Sequence, residues 1–116
     1  MKKLILPLAA LFLLAVPYHS GAQSAPKAIS ITAKRFAFEP AQITLKKGEP
    51  VTLQLTTADV THGFYLKPLK IDEIIEPGKT VEVKVTPQMA GTFTTICDHF
   101  CGANHGNMKM TIVVEE

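Results

Sequence analysis

The residues able to do chemistry crowd into one short stretch, Cys97-Asp98-His99-Phe100-Cys101-Gly102-Ala103-Asn104-His105-Gly106-Asn107-Met108. It holds both cysteines of the chain, two of its four histidines and one of its four methionines. A further histidine, His62, lies upstream in Asp59-Val60-Thr61-His62-Gly63-Phe64. Thiolate, imidazole and thioether together form the soft-to-borderline donor set that suits copper, whereas calcium and magnesium want oxygen ligands that this stretch hardly offers. Two plainer readings compete. Cys97 and Cys101 are close enough in sequence to form a disulfide in an oxidising compartment, but a disulfide leaves the nearby His105 and Met108 unexplained. Two cysteines and two histidines can also bind zinc in a tetrahedron, but zinc makes no use of the Met108 thioether. Structural zinc sites also tend to have tighter cysteine pairs. Met89 and Met110 read as core or packing residues, and His99 as an exposed loop histidine at the side-chain level.

The elements that must position these donors read as strands. A first strand is expected at 28–32, followed by Phe36-Ala37-Phe38, then Ile43 and Leu45 alternating with Gln42 and Thr44. After the turn Lys46-Lys47-Gly48-Glu49-Pro50, apolar Val51, Leu53 and Leu55 alternate with polar Thr52, Gln54 and Thr56, the period of a half-buried strand. Glu76-Pro77-Gly78 makes another turn into Val81, Val83 and Val85; Met89-Ala90-Gly91 closes that strand and 92–96 opens the next. Met108, Met110, Ile112 and Val114 share one face of a last strand, so 97–107 is a loop between two strands. Short strands punctuated by turns predict an all-β sandwich.

Length and composition narrow the field further. The chain has 116 residues, 47% hydrophobic and 19% charged, which is one small folded domain and not a disordered segment. A formal charge of +2 is too slight for a nucleic-acid binder. That charge belongs to the first residues. Met1-Lys2-Lys3 is a short basic start, 4–16 is apolar apart from Pro7, and Pro17 is followed by Ser20-Gly21-Ala22. This is the layout of a secretory signal cut after Ala22, and its apolar run falls short of the ~20 residues of a spanning helix. The expected division is a cleaved signal at 1–22 and one domain at 23–116, exported to the periplasm or an equivalent compartment, with no stable membrane anchor. The domain keeps ten basic and ten acidic side chains.

The pattern Cys97-x3-Cys101-x3-His105-x2-Met108, with His62 far upstream, resembles the binuclear purple copper site called CuA, found in subunit II of haem-copper oxidases and in nitrous oxide reductase. Phe36-x-Phe38-x-Pro40-x-x-Ile43-x-Leu45-x-x-Gly48, followed by Asp59-Val60-x-His62-x-Phe64, looks like the N-terminal half of a cupredoxin domain, a Greek-key β-sandwich. The resemblance implies two copper ions bridged by the thiolates of Cys97 and Cys101. His62 and His105 would supply one imidazole to each ion. Met108 would be a weak axial ligand on one, and the backbone carbonyl of His99 on the other. The oxidases have glutamate at the His99 position and nitrous oxide reductase has tryptophan; histidine departs from both, which a carbonyl ligand tolerates.

With every donor consumed and no nucleophile–base pair elsewhere, the chain reads as an electron carrier and not as an enzyme. Its expected partner is a redox protein such as a c-type cytochrome or a terminal oxidase or reductase. Phe64, Tyr65 and Phe100 are candidates for an apolar docking collar, with core packing the competing reading for Phe64. Asp59, Asp98 and Asn104 are candidates for hydrogen bonds that orient the ligands. Two alternatives remain. One is a metallochaperone that hands copper to an apo-protein. The other is a mononuclear type 1 site of His62, Cys101, His105 and Met108, with Cys97 a spectator.

Overall fold

The computed structural model describes residues 27–116, so the expected signal at 1–22 lies outside the described residues. The strands run in the order β1 (Lys27–Lys34), β2 (Ala37–Glu39), β3 (Gln42–Lys46), β4 (Val51–Thr57), β5 (His62–Leu66), β6 (Ile71–Ile75), β7 (Val81–Val85), β8 (Gly91–Ile96) and β9 (Lys109–Glu115). One-turn 3-10 segments fall at Lys67–Leu69 and His105–Asn107. The strands form a four-stranded sheet, β2-β1-β4-β7, and a five-stranded sheet, β3-β9-β8-β5-β6. Both are mixed: β1 runs parallel to β4 and β3 parallel to β9, while the remaining pairs are antiparallel.

Period-two patterning builds the interior. Ile31, Ala33, Leu53, Leu55, Val83 and Val85 turn inward from the smaller sheet. Ile43, Leu45, Phe64, Leu66, Ile75 and Ile112 meet them from the larger one. Phe38 and Phe64 lock the two sheets together edge to face, with ring centroids 5.5 Å apart, the arrangement favoured by the aromatic quadrupole.

The strands expected from alternation all form, although β7 ends at Val85, short of the expected close at Met89-Ala90-Gly91. The β5–β6 hairpin had no such signal. His62, Gly63, Phe64 and Leu66 are all buried, so β5 shows no apolar–polar alternation to read. In β6 the inward positions are Ile71 and Ile75, while Ile74 points outward and is 46% exposed. Lys70, at a positive φ of 57°, turns the chain between the two strands. Met110 is buried in the core as expected, but Met89 is 55% exposed, because the strand it was expected to close ends at Val85 and Met89 sits in the following loop.

Because Leu53 is fully buried on β4, an inner strand of the smaller sheet, Leu53→Ala is expected to lower unfolding free energy by ~2–5 kcal/mol. The outward Ile74→Ala is expected to change it by no more than ~0.5 kcal/mol. Urea denaturation of both variants checks the assignment of faces; equal losses would contradict it.

Candidate metal centre

Two parts of the larger sheet meet at one end of the sandwich. His62 opens β5, and the 97–108 segment links β8 to β9. Backbone bonds within the loop shape it: His105 N–H donates to Gly102 O at 3.2 Å, Met108 N–H to His105 O at 3.1 Å, and Cys97 N–H to Met108 O at 3.2 Å. The last of these closes the loop at its base, bringing the first cysteine beside the methionine. Gly63 makes room for it. A Cβ there would stand 2.8 Å from His99 N and collide with the Asp98 side chain.

The six residues that the resemblance singles out, His62, Cys97, His99, Cys101, His105 and Met108, come together here. Cys97 Sγ and Cys101 Sγ are 3.6 Å apart, well beyond the ~2 Å of a disulfide bond, and both are buried free thiols. His62 Nδ1 lies 3.9 Å from Cys97 Sγ, and His105 Nδ1 lies 3.9 Å from Cys101 Sγ. The His99 carbonyl oxygen is 3.1 Å from Cys97 Sγ, and Met108 Sδ is 3.8 Å from Cys101 Sγ. His62, Cys97 and Cys101 place three donor atoms within 4.8 Å of one another. Each sulfur thus has its own imidazole and its own weak donor. The side chain of His99 is exposed, so only its carbonyl joins the group.

His62 is fully buried, and its orientation is set from behind. Its Nε2 is 2.7 Å from Asp59 Oδ1. An ionised carboxylate only accepts, so Nε2 carries the proton and the Nδ1 lone pair faces the sulfurs. Arg35 N–H donates to Asp59 Oδ2 at 2.7 Å and Val60 N–H to Oδ1 at 2.6 Å. Desolvation would raise the Asp59 pKa, but the hydrogen bonds from Arg35, His62 and Val60 outweigh it and hold the carboxyl well below its usual range. Of the three candidate orienting residues, only Asp59 touches a donor residue. Asn104 accepts from the Asn107 amide at 2.8 Å within the loop, and Asp98 packs over Gly63.

Other contacts were invisible in the sequence. Gly63 N–H lies 3.4 Å from Cys97 Sγ, where it serves as a donor to the sulfur. Arg35 Nε–H donates to the Cys101 carbonyl at 2.9 Å. No local motif flags Arg35, which is 66 residues from its partner. The expected collar is revised. Phe64 is fully buried in the core, Tyr65 is half-buried on the outer face of β5, and only Phe100, 74% exposed, stands free beside His105 with ring centroids 5.9 Å apart.

A cupredoxin-like domain matches residues 4–114, almost the whole chain. The chain belongs to the cupredoxin-like domain family. Cytochrome c oxidase subunit 2 of Thermus thermophilus is 33% identical over 102 residues, covering 86% of this chain and 76% of that protein. Nitrous-oxide reductase of Cupriavidus necator is 36% identical over 91 residues, covering 75% of this chain but only 14% of the reductase. Among solved structures, the periplasmic domain of subunit II of cytochrome oxidase from Bradyrhizobium japonicum superposes with a TM-score of 0.72 at 22% identity, covering 80% of this chain and 86% of that one. That likeness bears on the fold, and it agrees with the two-sheet sandwich of this cupredoxin domain.

Burial, together with the neighbouring Cys97 thiol, raises the Cys101 pKa from its ordinary 9.0 to about 11. An acid whose pKa is raised by folding gives up its proton first in the unfolded chain. The metal-free domain is therefore expected to lose stability as pH rises from about 9 towards about 11. Denaturant titrations at several pH values should show this decline in the parent and a smaller one in Cys101→Ser; equal slopes would refute it.

Proposed function

We propose that this chain is an exported electron carrier that binds two copper ions between the sulfurs of Cys97 and Cys101. One observation carries the reading. The two thiols stand 3.6 Å apart, and each has a separate imidazole nitrogen and a separate weak donor on its own side. This pairing of donors supports a CuA-like centre. A mononuclear type 1 site would leave Cys97 as an idle thiol, yet it is the sulfur that faces His62 Nδ1.

In this reading the Cys97 and Cys101 thiolates would hold the copper together with the imidazoles of His62 and His105. The His99 carbonyl and the Met108 thioether would add two weaker donors. Bound copper would supply the one-electron chemistry. The protein's part is to keep the donors nearly still between oxidation states, since rearrangement slows transfer. Asp59 fixes the His62 ring, and burial of both sulfurs keeps water away from the centre. Every donor that the site offers is a protein group suited to holding the metal, which favours electron exchange over catalysis.

Export is supported by the signal-like pattern at 1–22 and by the periplasmic setting of the structural neighbour from Bradyrhizobium japonicum. Among the described residues, no helix is long and apolar enough to cross a membrane. The partner in this reading is a c-type cytochrome or a terminal oxidase or reductase. It would meet the chain at the end bearing exposed Phe100 and partly exposed His105.

Copper-loaded mature protein is expected to hold two copper ions per chain and to give an electron paramagnetic resonance pattern of one unpaired electron shared over both. Cys97→Ser should abolish that pattern. A single copper with a mononuclear spectrum, or two coppers surviving in Cys97→Ser, would refute the binuclear assignment. Colourless copper that an apo-protein strips away would instead favour the metallochaperone.

A further inference from the structure

Arg35 stands in the turn between β1 and β2, on the smaller sheet, whereas every donor of the centre comes from the larger one. It nevertheless holds both halves of the site. Its backbone N–H donates to Asp59 Oδ2 at 2.7 Å, and the other oxygen of that carboxylate lies 2.7 Å from His62 Nε2. Its side-chain Nε–H donates to the Cys101 carbonyl at 2.9 Å. One residue therefore links the His62 imidazole, through Asp59, to the backbone that carries the Cys101 sulfur.

The next residue makes the same contact from the apolar side. Phe36 packs so closely on Gly102 that a Cβ there would lie 2.8 Å from two of its ring carbons. Gly102 has a φ of 144°, which suits glycine. The Arg35-Phe36 pair thus presses on Cys101-Gly102 with a charged hydrogen bond and an aromatic ring. A charged donor on a carbonyl is among the stronger protein hydrogen bonds. A fixed positive charge beside a redox centre also favours the reduced state, which carries one positive charge less.

We infer that Arg35 is a positioning residue of the metal centre, setting the separation of His62 from the Cys101 segment and raising the reduction potential through its charge. This rests on the copper-carrier reading above. The test therefore has one arm that needs no metal and one that does.

Three variants separate the roles. Arg35→Gln removes the charge and the guanidinium donor but leaves the backbone bond to Asp59. Arg35→Lys keeps the charge and loses the planar fork. Lys34→Gln is the control, because it removes an adjacent charge whose partner is Glu39, 2.6 Å away, and not the site. In metal-free protein, Arg35→Gln should speed amide hydrogen exchange at 97–108 and leave the β4 and β9 cores unchanged. In copper-loaded protein, it should weaken copper binding by about tenfold and lower the reduction potential. Arg35→Lys should keep the parent potential while binding copper less tightly. Lys34→Gln should leave exchange, affinity and potential as in the parent.

Unchanged exchange in Arg35→Gln would overturn the tie. Faster exchange with parental affinity and potential would also overturn it, reducing Arg35 to a purely structural role. So would equal potential drops in Arg35→Gln and Lys34→Gln. If the parent takes up no copper, the carrier reading fails, and the exchange arm alone then decides whether Arg35 holds the loop.

Discussion

The bond between the Asp59 carboxylate and His62 Nε2 governs the geometry of this site. A fully buried imidazole has two nitrogens, and only one can face the sulfurs. By accepting from Nε2, Asp59 assigns the proton there and turns the Nδ1 lone pair towards Cys97. The carboxylate can do this only because it stays ionised, and the backbone N–H groups of Arg35 and Val60 secure that ionisation. The imidazole is thus aimed at the sulfurs by a bond on its far side.

The sandwich explains how such a group of donors survives burial. Thiols pack like small apolar side chains, so Cys97, Cys101 and Met108 continue the core at one end of the larger sheet without unpaired polar atoms of the costly kind. The imidazole is the polar exception, and it is satisfied. Beyond the buried sulfurs the surface changes character. His105 is partly exposed and Phe100 is almost free, with its ring beside that of His105.

The smaller sheet contributes support. Arg35 and Phe36 leave β1 and close over the Cys101-Gly102 segment, coupling the loop to a second layer of the fold. Asp59 joins the same network from the end of β4. A loop braced from two sheets moves less than one anchored at its two ends alone. Low motion is what a site needs if it is to serve two oxidation states with one geometry.

Residue type and spacing marked out the candidate donors, and the resemblance to CuA domains assigned their roles. Cysteine, histidine and methionine at fixed intervals in a single loop are rare enough to name the chemistry, and alternation in β4 and β9 named the sandwich. Alternation failed where burial was two-sided, at β5, which carries His62. It also misplaced Met89, because a loop residue beyond a strand shows no period. The sequence by itself determined the donor types, their order and the half-buried strands, because these are encoded locally by residue kind and interval. Only the tertiary structure decided that Asp59 and not Asp98 or Asn104 orients the imidazole, that Phe64 belongs to the core, and that Arg35 reaches Cys101. Asp59 and His62 are only three residues apart, but which side chain points at the ring depends on the folded backbone. The Arg35–Cys101 and Phe38–Phe64 contacts join distant segments that meet only once two sheets have packed face to face.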